Sequence, residues 1–177
     1  LKGFTPQIGK SCFIAETAMI IGEVEIGDKC SIWYNAILRG DVGLLKMGDE
    51  CNIQDGAILH ATTDISKTIL GDRVSIGHNA IIHGAIIESD VLVGMGAIIM
   101  DNAKIHSNTI IAAGSIILAN QELEGGYIYA GNPASKFVEV TEDGPIVPVI
   151  RGIAIEAGNF QEYRTRFLAV LSEGIDA

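Results

Sequence analysis

An aliphatic residue recurs every six positions through most of this chain. The first run is Ile8, Ile14, Ile20, Ile26, Ile32 and Leu38. A second is Met47, Ile53 and Leu59, and a third is Leu70, Ile76 and Ile82. After one five-residue step come Ile87, Val93, Ile99, Ile105, Ile111 and Ile117, which makes eighteen hexapeptides. An amphipathic helix needs a period of 3.6 residues and a plain strand needs 2. Period six fits a short strand followed by a corner. Three of each give a triangular coil, and eighteen hexapeptides give about six coils stacked roughly 4.8 Å apart. The expected fold is therefore mainly β, a parallel β-helix of about six coils.

The fifth residue of each hexapeptide is the second inward position. It is nearly always small or branched, and Cys12, Cys30 and Cys51 all fall there. Three cysteines without CxxC spacing fit neither a disulfide framework nor a zinc ribbon, so they read as buried packing residues. The 29 isoleucines against 6% aromatics describe the same narrow aliphatic bore. The formal charge of −10 and the lack of a basic stripe argue against nucleic acid as a partner. No apolar run reaches the ~18 residues of a membrane span. The opening Leu1-Lys2-Gly3-Phe4 does not read as a signal peptide, and cysteines without a disulfide framework fit a reducing compartment, so a cytoplasmic location is expected.

Two extra segments interrupt the frame, Leu44-Leu45-Lys46 and Ile65 to Ile69, both leaving from one corner on adjacent coils. The repeat fades after Ile117. Residues 1–124 are therefore expected to be the β-helix, and 125–144, with Gly125-Gly126 and Gly131-Asn132-Pro133, a connecting loop and turn. In 145–177, Phe160, Tyr163, Phe167, Val170 and Leu171 share one face at helical spacing, so an α-helix packed on the solenoid is expected.

Placed on the frame, His60 and His83 each follow an inward aliphatic of the third strand, on successive coils. They point outward and stack, and Arg39 extends the column. Two imidazoles so stacked can share zinc or ferrous iron. His78 lies at the next corner, and a neighbouring subunit can supply it, which makes the site an interface with threefold closure. His106 lies on another ladder and is given no role.

Arg39-Gly40-Asp41, Asn52-Ile53-Gln54-Asp55, His60 and Ile76-Gly77-His78-Asn79-Ala80 with His83-Gly84 together resemble the γ-class carbonic anhydrases. Gly94-Met95-Gly96-Ala97 and Gly131-Asn132-Pro133-Ala134 resemble them too. The resemblance implies a left-handed β-helix and a homotrimer. It implies zinc or ferrous iron at each subunit interface, held by His60 and His83 of one chain and His78 of the next. The implied reaction is reversible hydration of carbon dioxide to bicarbonate by metal-bound hydroxide, a carbonate dehydratase-like lyase activity. Gln54 corresponds to the glutamine that hydrogen-bonds water or substrate. Arg39, Asp41 and Asp55 correspond to an interface network that is either catalytic or a set of ion pairs locking the trimer. The long acidic loop of the archetype is reduced to Leu44-Leu45-Lys46, without a glutamate. Where many short-loop relatives carry a tyrosine, Phe160 stands here. The alternatives are a hexapeptide-repeat acyltransferase or thioesterase acting on acyl-CoA, and a non-catalytic metal-binding trimer.

Overall fold

A computed structural model describes residues 3–140. The helix expected in 145–177 lies outside the described residues. Among the described residues, nineteen strands, most of two or three residues, run Gln7–Ile8 through Ala134–Glu139, and all but the last pair in parallel. They form the three faces of a solenoid of about seven turns. Two strands are long, Met19–Ile26 and Ile37–Met47, because each crosses a corner from one face to the next.

The six-residue frame explains the interior. Ile32, Leu38, Ile53, Leu59, Ile76, Ile82, Ile99 and Ile111 are fully buried, and each stacks on its counterpart one coil away. The corners follow the same period. The third residue after an inward aliphatic often has a left-handed φ, as in Asn35, Asn79, Asn102, Asn108 and Asn120. Asparagine tolerates that conformation better than other residues with a Cβ. Cys30 and Cys51 are buried, and their thiols donate to the Gly48 and Gly71 carbonyls of the coil above.

The structure moves three features of the expected frame. Gly22 pairs with Gly40 and Val24 with Leu45, so the first insertion bulges at Asp41–Leu44 and Leu45 enters the core. Thr68 is buried and pairs with Leu45, so the second insertion is the loop 62–67 and Thr63 is not an inward residue. Ala85, not Ile86, is the buried partner of Ile87, because the five-residue step moves the inward position back by one.

The coil also runs further than expected. Leu123 and Tyr129 continue the six-residue spacing and are buried. In the segment expected as loop and turn, Tyr127–Gly131 adds a rung, pairing in parallel with Ile110–Ile111. Ala134–Glu139 then folds back antiparallel on it and covers the edge that this face would otherwise present. Gly125-Gly126 is a corner within the coil, not the end of it. Among the described residues, no helix is long and apolar enough to cross a membrane.

The three outer surfaces differ. On one face, the residues preceding the inward aliphatics are Met19, Ile37, Ile58, Ile81, Ile98 and Ile116, in register on six successive rungs. The equivalent ladder on the second face includes Gln7, Glu25, Lys46, Lys104 and Glu122. On the third it includes Ser31, Asn52 and Ser75. Only the first face is aliphatic from end to end.

Candidate metal centre

The aliphatic face carries polar groups at both ends of its strands. At the far ends, His83 pairs in register with His60, and their ring centroids are 5.2 Å apart. Arg39 and Asp41 join them from the coil below. Arg39 Nη1 donates to Asp41 Oδ2 at 2.7 Å, and His60 Nε2 lies 3.0 Å from Asp41 Oδ1. Asp41 reaches His60 because it sits in the Asp41–Leu44 bulge, which leaves the strand path. Partial burial lifts the Asp41 carboxyl. Hydrogen bonds from Arg39 and His60 outweigh that and hold it below the ordinary carboxylate value.

Neighbours assign the imidazole tautomers. Arg39 Nη2 lies 3.3 Å from His60 Nδ1. A guanidinium only donates, so Nδ1 accepts and the His60 proton sits on Nε2, facing Asp41. His83 Nδ1 lies 3.1 Å from Asp101 Oδ2 and donates to it, which leaves Nε2 bare. His60 Nδ1 and His83 Nε2 then face each other at 3.3 Å. The His60 Nδ1 lone pair is engaged by Arg39 in this arrangement, so a cation seated between the two rings would displace that hydrogen bond. Two ligands of a tetrahedral zinc, each bonded at ~2.0–2.1 Å, lie about 3.3 Å apart. The donor type and separation therefore fit such an ion.

The near ends of the same strands carry Gln54, Asp55 and His78. His78 Nδ1 is 3.0 Å from Asp55 Oδ2, and the His78 amide donates to Gln54 Oε1 at 3.2 Å. His78 is about half-exposed, with Nε2 as its remaining ligand atom. Within one chain His78 stands apart from the pair of facing nitrogens. Four residues separate it from His83, and strand Ile81–His83 extends the chain by about 3.3 Å per residue. Among the described residues no three His, Cys, Asp or Glu side chains of one chain form a metal-ready group. The sequence-derived residues thus fall into two clusters. Arg39, Asp41, His60 and His83 stand at one end of the aliphatic face, and Gln54, Asp55 and His78 at the other.

Sequence reasoning missed Asp101 and the aliphatic ladder. Asp101 belongs to the next rung, two positions after inward Ile99, where the rungs below have Gly40, Ala61 and Gly84. Its carboxyl is lifted by partial burial but held low overall by Ser66, His83 and Thr62. The ladder was visible as a Met or Ile immediately before the inward residue of every third hexapeptide.

This architecture defines a class, the hexapeptide-repeat β-solenoids. The family described as bacterial transferase hexapeptide (six repeats) matches residues 5–40 and 84–119. Gamma carbonic anhydrase 2, mitochondrial, of Arabidopsis thaliana is 42% identical over 148 residues, or 81% of this chain and 53% of that protein. A carbonic anhydrase of Geobacillus kaustophilus is 42% identical over 142 residues, or 80% of this chain and 78% of that protein. A hexapeptide transferase family protein from Anaplasma phagocytophilum superposes with a TM-score of 0.78 at 36% identity, over 88% of each chain. Within its class, the chain belongs to the γ-class carbonic anhydrase-like family. It spans about half the length of the Arabidopsis relatives it matches.

Proposed function

We propose that this protein is a γ-carbonic anhydrase-like metalloenzyme that reversibly hydrates carbon dioxide at the interfaces of a homotrimer. The observation that carries the reading is the pair of ring nitrogens, His60 Nδ1 and His83 Nε2, held face to face at 3.3 Å. Their missing third partner has a source in the fold. His78 stands at the opposite end of the one aliphatic face, and a threefold neighbour seated on that face brings its own His78 to the pair. A part-exposed β surface that is aliphatic over six rungs favours burial against a second copy.

His60 and His83 of one chain and His78 of a neighbour would hold zinc or ferrous iron, which would supply Lewis-acid chemistry and activate water near neutral pH. The protein's own groups prepare the rest. Asp41, Asp55 and Asp101 hold protons on the non-ligating nitrogens of His60, His78 and His83 and so fix three lone pairs. Gln54 spends its Oε1 on the His78 amide, which leaves its Nε2 end to donate to a substrate oxygen. Arg39 is partly exposed and is the cation nearest the pair, so it attracts bicarbonate locally in a chain that is globally acidic. The bulge Asp41–Leu44 holds no glutamate, so a proton leaving the site would need another route, through buffer or a chain of waters.

Protein purified without chelator should hold about one zinc or iron per chain and hydrate carbon dioxide in anaerobic stopped flow. His83→Ala should lose the metal while keeping its fold by circular dichroism. Full metal content in His83→Ala, or none in the wild type after reconstitution, would contradict the reading. The transferase neighbour supports a second reading, acyl transfer or thioester hydrolysis with acyl-CoA. Turnover of acyl-CoA without carbon dioxide hydration would select it.

A further inference from the structure

The carboxylate behind His83 is embedded in a small network that reaches it from the second insertion. Asp101 Oδ2 accepts a hydrogen bond from His83 Nδ1 at 3.1 Å and another from Thr62 Oγ1 at 3.2 Å. Asp101 Oδ1 accepts from Ser66 Oγ. Thr62 and Ser66 bracket a closed turn. The Thr62 amide donates to Ser66 Oγ at 3.0 Å, and the Ser66 amide donates to the Thr62 carbonyl at 3.1 Å. The segment then re-enters the core at Thr68, whose hydroxyl donates to the His60 carbonyl and accepts from the Gly84 amide. Gly84 has a φ of +67°, and a Cβ there would meet Ser66 Oγ and Asp101 Oδ1. The insertion therefore touches both stacked imidazole rungs and fixes the carboxylate of one.

We infer that Asp101 is a positioning residue for His83, and that the insertion spanning Thr62–Ser66 is a brace that sets its orientation. This rests on the proposed metal site, which gives His83 its purpose. With both carboxylate oxygens committed, Asp101 has one way to face His83. His83 then carries its proton on Nδ1 and keeps Nε2 bare towards His60 Nδ1. An asparagine at 101 has an amide NH₂ that can donate to Nδ1 instead. That moves the proton to Nε2 and removes the lone pair. Loss of the Ser66 hydroxyl leaves the carboxylate in place but loosens it.

The test uses the full chain as wild type, Asp101→Asn, Asp101→Glu and Ser66→Ala. Zinc affinity is measured by competition with a chromophoric chelator. The His83 tautomer is read in zinc-free protein from imidazole nitrogen shifts. Asp101→Asn should bind zinc about 10–100-fold more weakly and show the Nε2-protonated form. Ser66→Ala should weaken binding several-fold with the Nδ1-protonated form retained. Asp101→Glu should recover part of the affinity. An Asp101→Asn protein that is folded, keeps the wild-type tautomer and binds zinc within twofold of wild type overturns the inference. Wild type that binds no zinc refutes the metal site instead, and the tautomer comparison still decides the role of Asp101. Should Asp101→Asn fail to fold, Ser66→Ala decides. Affinity within twofold of wild type there removes the brace.

Discussion

Ile58→Asp is the most direct perturbation of the proposed assembly. Ile58 stands in the middle of the aliphatic ladder, in register between Ile37 and Ile81, and is 36% exposed in the single chain. Its side chain points away from the core, so the lone chain should lose no more than about 1 kcal/mol of strand preference. In a trimer with three interfaces, the change alters one residue per interface. Only the exposed third of the isoleucine is buried on assembly, and losing that costs roughly 0.5–1 kcal/mol. An unpaired carboxylate enters a desolvated surface, costing about 3–5 kcal/mol more. Together these weaken each interface by roughly two and a half to four and a half decades in association constant. Light scattering on a sizing column should show wild type at three times the 18.8 kDa chain and Ile58→Asp at one. Metal content should fall with the trimer, while strand content by circular dichroism stays. Ile58→Val, which removes one methylene, should cost about 1 kcal/mol and remain trimeric. Lys104→Gln, on another face, should also leave the mass unchanged. Refutation would be an Ile58→Asp protein at trimer mass with full metal content, since the aliphatic face would then not be the contact.

Two further outcomes concern other parts of the solenoid. Cys30 and Cys51 are buried, and the hydrogen-bonded neighbour Cys51, together with burial, pushes the Cys30 thiol well above its ordinary value. A thiol reagent should therefore label both cysteines fully only in denaturant; rapid labelling of the native protein would contradict the stacked core. His106 lies 2.8 Å from Glu122 and 2.9 Å from Glu88, and these hydrogen bonds raise its pKa. Its stabilising contribution is therefore full below the ordinary histidine value of 6.5 and lost as pH rises through the raised one. The melting-temperature gap between wild type and His106→Gln should narrow as pH increases from 6 to 9, and a constant gap would refute that.

The parts of the fold set by a fixed period were readable from the sequence. Inward aliphatics every six residues give the coil, and the same frame puts His60 above His83. Register across an insertion was not readable, because either end of an extra segment satisfies the period. Only inter-rung hydrogen bonding decides that Leu45 and Thr68 take the inward places. That decision matters, since it puts Asp41 in a bulge beside His60 and leaves Thr62 and Ser66 in the loop beside Asp101. The last coil was hidden because Tyr129 fills an inward place usually given to isoleucine and two glycines precede it. Asp101 was hidden because its partners are distant in sequence, 18 residues away at His83 and 35 at Ser66.

Separation of His78 from the His60–His83 pair gives the proposed trimer a genetic signature. A chain lacking His78 still offers the facing pair, and a chain lacking His83 still offers His78. In any ring of three that mixes the two, one junction joins an intact pair to an intact His78. Two inactive alleles therefore restore one site per mixed trimer, whereas neither restores any by itself. Function in such a protein belongs to the junction between gene products, and a copy that has lost only His78 or only His83 damages the site on one of its sides and leaves the other intact.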